Sequence, residues 1–411
     1  MTHEAKETRF DRLSRPSIAE ILPMVDIKLP NLFTPKLPKS VATINDMRAR
    51  ASRMVPKSVF DYVDGSAGDE RTYQNSLDLF QRVRFTPKQL RGVDGVDLST
   101  NFVGVQSPVP FALAPTGFTR LMHHMGELAV ARAASSEDII YTLSTMGTIS
   151  PDELASYLPG AKLFFQLYVW RDRSFTLDLL ERVKRAGYRA IMLTIDTATA
   201  GLRYRDERNG FSIPPKITPK TIADMALHPR WWINLLVRPP LEFATLTSTD
   251  GTVSDLVRSV FDPRLNFDDL AFLRESWEGP IVVKGVQSAK DAETISKMGV
   301  EALLLSNHGG RQLDRSLEPL RLVEPTRQLV GDDAQIFIDG GIRSGSDILA
   351  ALAFGADGVF IGRPYLYGLM ANGQEGVKRV IEILKKEITV QMQLLGVSSL
   401  SGLDKEMVKV I

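Results

Sequence analysis

Eight short apolar segments recur along the chain from residue 110 onwards, and they constrain the fold more than any other feature. Each is rich in β-branched or large apolar residues and ends at a glycine or a polar residue. They are Pro110–Leu113, Ile139–Leu143, Lys162–Leu167, Ala190–Ile195, Ile281–Lys284, Ala302–Leu305, Gln335–Ile338 and Gly358–Ile361. Continuous apolar segments of this length are typical of strands that are buried on both faces, as in parallel sheets covered by helices.

Most of the gaps between these segments hold an amphipathic helical pattern, such as Ser174–Arg185 and Ser344–Phe354. Strands that alternate with such helices predict a parallel sheet built from βαβ units. Eight units close a barrel, whereas doubly wound sheets usually contain about five or six strands. We therefore expect an α/β fold of the (β/α)8 TIM barrel class.

The chain before the first strand divides into two parts. Residues 1–40 are rich in charge and proline, and we expect them to form an N-terminal arm. From Thr43 to about Leu79 the pattern is helical and predicts an N-terminal helical segment. The barrel domain is expected to span residues 41–411.

The gap between the fourth and fifth predicted strands is far longer than one helix requires. We expect a long insertion there, at about residues 204–278, which contains Pro214-Pro215, Trp231-Trp232 and Pro239-Pro240. Loops of this length in a compact domain are usually functional or disordered.

Composition excludes several classes of function. The 411 residues include 50 basic and 49 acidic residues, and a net charge of +1 gives no electrostatic basis for binding nucleic acid. The chain has no cysteine, which excludes disulfides, thiolate nucleophiles, iron–sulfur clusters and Cys-ligated zinc. We expect no metal site. The sequence contains neither a secretory signal nor a membrane-spanning pattern, so we expect the protein on the cytoplasmic side.

Polar residues or glycines follow almost every predicted strand. In chain order they are Pro115-Thr116-Gly117, Ser144, Gln166 with Tyr168, Thr194 with Asp196, Lys284, Ser306-Asn307-His308, Asp339 and Gly362-Arg363. The catalytic groups of such barrels lie on loops at the carboxyl ends of the strands. A barrel that served only as a scaffold would not need this pattern, which therefore predicts an active site at that end.

The loops after the last two predicted strands form a phosphate-binding pattern. One loop, Asp339–Arg343, leads through Gly340-Gly341 into a helix, and Gly362-Arg363 follows the next strand. Glycines let backbone amides approach a phosphate, and a helix N-terminus adds partial positive charge. A tight turn would also explain the glycine pair. The nearby arginines and the pairing of the two loops favour phosphate binding.

His308 and Arg311 lie three residues apart on one glycine-rich loop. A guanidinium there can bind a carboxylate through two hydrogen bonds while the imidazole faces the adjacent carbon. Asp196, at the end of the fourth strand, is a candidate to orient His308. Arg203, on the following loop, offers a second contact to a carboxylate, although its spacing alone favours an ordinary surface arginine.

These residues also resemble those of a known family, the FMN-dependent L-2-hydroxy-acid oxidases and dehydrogenases, from about Thr43 to the C-terminus. The segment Ser306–Asp314 closely resembles the signature loop of that family. Further matching motifs are Phe60-Asp61-Tyr62, Ala114–Gly117, Phe165–Tyr168, Leu193–Thr197, Val283–Gly285, Asp339–Arg343 and Gly362-Arg363. Bacterial quinone-linked L-lactate dehydrogenases are the most similar group, through Ala114–Met122, Asn209–Pro215 and Tyr365–Met370.

The resemblance implies a role for each matched residue. His308 would be the catalytic base with Asp196 as its partner, and Lys284 would stabilise negative charge on the reduced flavin. The substrate-binding residues would be Tyr62, Tyr168, Arg203, Arg311 and, facing the substrate side chain, Met146. The FMN-binding residues would be Pro115, Thr116, Gly117, Ser144, Gln166, Thr194, Lys284, Ser306, Asp339, Gly341, Arg343, Gly362 and Arg363.

The implied reaction is the FMN-dependent oxidation of an L-2-hydroxy acid, foremost L-lactate to pyruvate, with electrons passed to a quinone. One alternative is an oxidase that uses oxygen and acts on a glycolate-type or mandelate-type substrate. Another is an isomerase on the same barrel that uses reduced FMN; its diphosphate substrate would not need the arginines that bind a carboxylate. A barrel that only binds a phosphorylated ligand is a third. Whether the α-hydrogen leaves as a hydride or as a proton stays open.

Two further expectations concern the electron acceptor. Family oxidases commonly have alanine where this chain has Gly117, which favours a dehydrogenase. In the insertion, Met225–Leu236 combines tryptophans and aliphatic residues with flanking basic residues and is too short to span a bilayer. Such a segment suits the lipid headgroup boundary, and we expect a peripheral contact with the inner face of the cytoplasmic membrane. Packing on the barrel or on another subunit is the alternative; the family likeness implies a homotetramer or a larger homo-oligomer.

Overall fold

A computed structural model describes residues 37, 40–170, 172–210, 219–241, 243–244 and 262–411. The predicted N-terminal arm, residues 1–40, therefore lies almost entirely outside the described residues. The same holds for Pro214-Pro215 of the predicted insertion.

Eight parallel strands form a closed barrel. They are β4 (Phe111–Leu113), β5 (Tyr141–Ser144), β6 (Leu163–Leu167), β7 (Ala190–Thr194), β8 (Ile281–Val286), β9 (Ala302–Leu305), β10 (Gln335–Ile338) and β11 (Gly358–Ile361). Neighbours along the chain pair with each other, and β11 closes the barrel against β4. Each strand lies on one of the eight apolar segments, and the predicted (β/α)8 TIM barrel is confirmed.

Helices cover the outside of the barrel. They are α4 (Gly126–Ser136), α5 (Pro151–Tyr157), α6 (Arg173–Arg185), α10 (Phe267–Ser276), α11 (Ala289–Ser296), α12 (Pro319–Val330), α13 (Gly345–Ala353) and α14 (Arg363–Leu395). The patterns over Ser174–Arg185 and Ser344–Phe354 correspond to α6 and α13. Ser344 caps α13, because its hydroxyl accepts a hydrogen bond from the backbone amide of Asp347.

The amino end of the barrel is closed by a hairpin of β2 (Thr100–Phe102) and β3 (Val105–Ser107). The Phe102 ring lies 5.0 Å from Phe337 and 5.7 Å from Phe360, measured between ring centres, inside the barrel. A side chain at Gly358 would lie 2.8 Å from the Phe102 ring, so glycine is needed at the start of β11. Apolar side chains fill this end of the barrel and leave no room for a ligand. The carboxyl ends of the strands are therefore where a binding site can form.

The N-terminal helical segment consists of α1 (Ile44–Met54), α2 (Lys57–Asp64) and α3 (Arg71–Gln81), as expected. A second small sheet follows, in which β1 (Val83–Phe85) pairs antiparallel with β12 (Val408–Val410). Helix α2 begins without a capping side chain of its own. The Asp224 carboxylate, from the insertion, accepts the backbone amide of Lys57 at 3.2 Å and performs that function.

Between β7 and β8 the described chain forms α7 (Tyr204–Asn209), α8 (Pro219–Ala226) and α9 (Pro229–Leu236) before α10. Two side chains join this segment to the loop after β4. The Trp231 indole donates to the Leu121 carbonyl at 2.7 Å, and the Arg120 guanidinium donates to the carbonyls of Pro239 and Pro240 at 2.6 and 3.0 Å. The segment thus lies over the carboxyl ends of the strands.

The contact of Trp231 corrects one expectation. The sequence suggested that Trp231 contacts lipid, but its indole N–H is satisfied inside the protein and its ring packs against the core. Among the side chains that the structure describes in α8, α9 and the turn between them, Leu227 and Leu236 are the most exposed large apolar ones, at 79% and 60%. In the described part of the chain, no helix is long and apolar enough to cross a membrane.

Candidate active site

The carboxyl ends of the barrel strands surround a cavity of about 520 Å³. The predicted site residues line it, with two exceptions. Asp196 and Ser306 lie behind the wall and reach the site through hydrogen bonds to His308 and Lys284. The barrel thus gathers residues that are spread over three hundred positions of sequence, from Tyr62 to Arg363.

His308 is held from two sides. Its Nδ1 lies 3.1 and 3.2 Å from the two carboxylate oxygens of Asp196, and its backbone amide donates to the Ser306 hydroxyl at 3.0 Å. Gly285 makes room for this pair, since a Cβ there would lie 2.7 Å from the Asp196 carboxyl carbon. The Nε2 atom of His308 is the ring nitrogen that does not face Asp196, and it is the atom suited to exchange protons with a ligand.

The Asp196 carboxylate is ionised in spite of its surroundings. Burial alone would raise its pKa, but the positive charges of His308 and Lys284 and the hydrogen bond to His308 outweigh burial, so the pKa is lowered. An ionised Asp196 accepts a hydrogen bond from Nδ1 of His308 and fixes the orientation of its ring.

Two guanidinium groups flank the ring of Tyr62. The central carbons of Arg311 and Arg203 lie 4.9 and 5.6 Å from the ring centre. Arg311 also donates to the backbone carbonyls of Tyr62 and Gly65 at 2.5 and 3.3 Å. Burial, together with the nearby charge of Arg203, lowers the pKa of Arg311 to about 10. Arg203 is partly exposed and also pairs with the Asp206 carboxylate at 2.8 Å. Two cations at one end of a cavity favour an anionic ligand such as a carboxylate.

Tyr168 is buried beside these groups. Burial and the negative charge of Asp196 raise the pKa of its phenol well above the usual value, so the hydroxyl keeps its proton. A neutral phenol can donate a hydrogen bond to an oxygen of a ligand in the cavity.

Lys284 lies on β8, the strand between β7 and β9, with its amine 2.9 Å from the Ser306 hydroxyl and 3.3 Å from the Asp339 carboxylate. Its side chain is almost fully buried. A buried ammonium so placed can stabilise negative charge on a group that fills the centre of the barrel mouth.

Four buried polar atoms at the cavity have no hydrogen-bond partner among the described residues. They are Nε2 of Gln166, Oγ1 of Thr194, Oδ1 of Asp339 and Nη2 of Arg343. Buried polar atoms are normally paired, so this set indicates a ligand that offers both donors and acceptors. The flavin ring has alternating N–H and C=O groups along one edge and a phosphate on its side chain, and FMN therefore fits these residues.

The two glycines of the first predicted phosphate loop have left-handed backbone conformations. Gly340 and Gly341 adopt φ angles of 86° and 80°, and a Cβ at Gly341 would lie 2.9 Å from the Ser76 carbonyl oxygen. Glycine is therefore required where the chain enters α13. Arg343 lines the cavity, and the hydrogen bond from its backbone amide to the Asp347 carboxylate measures 2.7 Å.

The Arg363 side chain is fixed by several contacts that the sequence did not predict. Its guanidinium donates to the backbone carbonyls of Val63, Gly65 and Gly309 at 2.8, 2.6 and 2.8 Å. Tyr73, which no sequence pattern singled out, contacts it, with the Arg363 guanidinium carbon 4.7 Å from the Tyr73 ring centre. Arg363 still lines the cavity, so the protein fixes its orientation before any phosphate binds.

Gly117 and Met146 are close neighbours. A Cβ on residue 117 would lie 2.6 Å from the Met146 Cβ, so alanine at this position would force Met146 to move. The Thr116 hydroxyl lies 2.5 Å from the Tyr365 hydroxyl, and Tyr365 donates to the Ala114 carbonyl at 2.8 Å. These bonds fix the loop that follows β4.

An apolar wall beside Met146 was not anticipated from sequence. Phe118 and Phe243 are buried with ring centres 4.9 Å apart, and both line the cavity with Met122. Phe118 has a φ of 59°, a conformation that bulky residues rarely adopt outside functional sites. Phe243 lies in the insertion, where no periodic pattern could have indicated that it reaches the site.

Three other described histidines, His123, His124 and His228, do not line the cavity. His123 and His124 lie together with ring centres 4.3 Å apart, outside the residues that line the cavity, and His228 lies in the turn between α8 and α9. Within the described ranges, no cluster of three or more histidine, aspartate or glutamate side chains is arranged to hold a metal ion.

Comparison with known proteins places this site in a family. A family model described as FMN-dependent dehydrogenase matches residues 51–410. A putative L-lactate dehydrogenase of Mycobacterium tuberculosis is 45% identical over 389 residues, which cover 94% of each chain. An L-lactate dehydrogenase of Caulobacter vibrioides is 37% identical over 372 residues, 89% of this chain and 97% of that protein.

A solved structure gives the same result. The crystal structure of (S)-mandelate dehydrogenase, described as a monotopic membrane protein, superposes with a TM-score of 0.87 at 33% identity. The match covers 91% of this chain and 100% of the other.

Proposed function

The chain belongs to the FMN-dependent dehydrogenase family, and from that premise we propose that it oxidises L-lactate to pyruvate. FMN is its cofactor and a 2-hydroxy acid its class of substrate. One observation carries the proposal: His308, paired with Asp196, shares a single cavity with the two arginines that flank Tyr62. The named L-lactate dehydrogenases among its relatives support lactate in particular.

Substrate binding rests on the cationic end of the cavity. The carboxylate binds Arg311 and Arg203, and the hydroxyl of Tyr62 adds a hydrogen bond. Tyr168 donates to the substrate oxygen on C2, because its raised pKa keeps the phenol neutral. This arrangement directs C2 towards His308 and the methyl group towards Met146.

His308 acts as the base. Its Nε2 accepts the hydroxyl proton if the α-hydrogen leaves as a hydride. In the alternative, Nε2 accepts the α-proton, two electrons leave afterwards, and the hydroxyl proton is released as the C2 carbonyl forms. In both cases Asp196 stabilises the imidazolium that results. Bound FMN supplies the two-electron acceptor that no side chain of this protein provides.

The flavin-binding set is the group of cavity residues with unpaired atoms together with the glycine loops. Gln166, Thr194 and Ser144 would bond the ring edge, and Lys284 would stabilise negative charge on the reduced ring. Arg343, Arg363 and the amides around Gly341 and Gly362 would hold the phosphate, while Pro115–Gly117 would contact one face of the ring.

A quinone is the proposed electron acceptor. Gly117 supports a dehydrogenase, and its close contact with Met146 makes a change to alanine sterically costly. The exposed Leu227 and Leu236, with Arg230 nearby, support a peripheral contact with the inner face of the cytoplasmic membrane. The (S)-mandelate dehydrogenase that this chain resembles is a monotopic membrane protein. A homotetramer or a larger homo-oligomer is proposed on family likeness alone.

Anaerobic mixing tests the proposal. L-lactate should bleach the visible absorbance of the bound flavin, and a soluble quinone analogue should then restore it faster than oxygen does. Glycolate and (S)-mandelate in parallel identify the substrate. Rapid recovery with oxygen and none with quinone would make the protein an oxidase. Failure of every 2-hydroxy acid to bleach the flavin would favour the isomerase.

A further inference from the structure

The carboxyl end of α2 holds two of the arginines described above. Arg311 donates to the carbonyls of Tyr62 and Gly65, and Arg363 donates to those of Val63 and Gly65. The last carbonyls of a helix lack partners within the helix and carry partial negative charge. This one helix end therefore helps to place both guanidiniums, although they come from loops after different strands.

Asp64 is the last residue of α2, and its side chain is fully buried, at 0% exposed. Its carboxylate accepts two hydrogen bonds from Arg48, at 2.6 and 2.7 Å. Arg205 donates to it at 3.1 Å, and the Tyr367 hydroxyl donates at 2.9 Å. Asp64 thus joins α2 to α1, α7 and α14 at the point where α2 meets the cavity.

The Asp64 carboxylate is ionised in the folded protein. Burial would raise its pKa, but the hydrogen bonds and charge of Arg48, with those of Tyr367 and Arg363, lower it to about 2. The carboxylate is therefore ionised throughout the range in which the enzyme would work. A buried carboxylate with four hydrogen bonds is a rigid connection, because losing any partner leaves an uncompensated charge.

We propose that Asp64 is a positioning residue that fixes the carboxyl end of α2 and, through its carbonyls, the orientation of Arg311 and Arg363. The inference rests on the proposed function only in taking Arg311 as a ligand of the substrate carboxylate and Arg363 as a ligand of the FMN phosphate. Asp64 itself does not line the cavity.

A positioning role and a purely electrostatic role of Asp64 predict opposite changes in anion binding for Asp64→Asn. If Asp64 acted only through its charge, its neutralisation would leave the cationic cavity more positive and anions would bind more tightly. If Asp64 acts by position, the α2 carbonyls shift, the two guanidiniums lose their alignment, and anions bind more weakly. The sign of the change separates the two.

The test compares the wild-type holoenzyme with Asp64→Asn. We expect KM for L-lactate to rise by about tenfold, equivalent to about 1.4 kcal/mol, with a much smaller change in kcat. Two binding measurements need no turnover. Oxalate, detected by its perturbation of the flavin spectrum, should bind about tenfold more weakly, and the apoprotein should require more FMN for half-saturation.

A control removes a different aspartate–arginine pair, one that is partly exposed and lies away from the cavity. Asp357, at the amino end of β11, accepts Arg327 at 2.5 Å and the backbone amide of Ile336 at 2.6 Å. Asp357→Asn should lower the midpoint of thermal unfolding and leave oxalate and FMN binding within about twofold. Tyr367→Phe keeps the Asp64 carboxylate but deletes one of its hydrogen bonds, and should weaken oxalate binding in the same direction by less.

The outcomes separate this inference from the proposed function. Tighter or unchanged oxalate binding in Asp64→Asn, at any loss of stability, overturns the positioning role. If Asp64→Asn does not fold, unchanged binding in Tyr367→Phe overturns it instead. If the wild type oxidises no 2-hydroxy acid, the proposed function fails, while the FMN titration still measures whether Asp64 positions Arg363.

Discussion

His308 shows how far a single side chain depends on its neighbours. Its Nδ1 faces Asp196, and Gly285 leaves the space that this pair requires. We predict that His308→Gln retains FMN but loses turnover by about a hundredfold or more, since general bases typically contribute about 10²–10⁴-fold. Flavin absorbance after gel filtration measures retention, and anaerobic flavin reduction by L-lactate measures the rate.

His228→Gln is the matched control, because His228 lies in the turn between α8 and α9 and does not line the cavity. It should reduce its flavin at the wild-type rate. A loss smaller than tenfold in His308→Gln would rule out His308 as the base.

Arg311 provides a second prediction at this scale. Its planar guanidinium bonds two backbone carbonyls and faces the cavity, and a lysine ammonium cannot reproduce that geometry. We predict that Arg311→Lys raises KM for L-lactate by at least about tenfold. Steady-state kinetics with a soluble dye as acceptor measures this change.

Arg321→Lys, on the half-exposed Arg321–Glu318 ion pair of α12, is the control and should leave KM unchanged. If Arg311→Lys and the wild type have the same KM and kcat, Arg311 does not bind the substrate carboxylate.

Individual site residues could be predicted where they lie at or just beyond the end of an apolar segment. Lys284, Asp196 and Thr194 needed only the position at which an apolar segment stops, because parallel strands in a barrel bring their carboxyl ends together. Tyr73 and Phe243 reach the site through tertiary packing from a helix and from the insertion. No local pattern marks such residues, and sequence alone could not identify them.

Among the elements, the segment containing α8 and α9 differs most from what the sequence predicted. The sequence predicted that the tryptophans and aliphatic residues of Met225–Leu236 contact the membrane, yet Trp231 donates inward to Leu121. The hydrophobic pattern of an eight-residue helix cannot reveal which of two adjacent aromatic residues faces the barrel. Of the described side chains in this segment, Leu227 and Leu236 are the most exposed large apolar ones and are therefore the candidates for a membrane contact.

We predict that replacing Leu227 and Leu236 together with serine releases the enzyme from vesicles that contain anionic lipid. Each exposed leucine contributes apolar area to the contact, and without them only the basic residues remain. Sedimentation with vesicles measures binding, and turnover with a soluble dye should stay at the wild-type level because neither residue lines the cavity.

The matched control replaces Leu177 and Leu329, exposed leucines of α6 and α12 at 45% and 49%, with serine. This variant should sediment as the wild type does. Should the wild type itself fail to sediment, or should both double variants behave alike, the exposed leucines of the insertion have no part in membrane contact.

At the scale of the whole molecule, the alternation of apolar and amphipathic segments was sufficient to predict the barrel architecture. Eight apolar segments separated by amphipathic ones leave few closed arrangements, and the barrel is the one that pairs every strand. The closure of the amino end by Phe102 was not predictable in the same way. The strands of that hairpin have three residues each, too few to show an alternating pattern.

The stability of the whole molecule should depend on pH through two histidines that have no role in the site. Burial and the charge of Arg238 lower the pKa of His123 from 6.5 to about 4. Burial and the charges of His123 and Arg238 lower that of His124 to about 2. Between pH 6.5 and about 4 the unfolded chain therefore binds protons at both positions that the folded protein does not bind.

Because the unfolded state binds more protons in this window, the free energy of unfolding falls as the pH is lowered through 6.5. Two such groups predict a loss of up to about 2.7 kcal/mol between about pH 7.5 and 5.5. Urea unfolding of the holoenzyme in excess FMN at each pH measures it. In the variant with both His123→Gln and His124→Gln the slope should largely disappear, since glutamine does not titrate. A wild-type stability that stays constant over this range, or a double variant with the same slope, would mean that the two imidazoles are not held neutral by the fold.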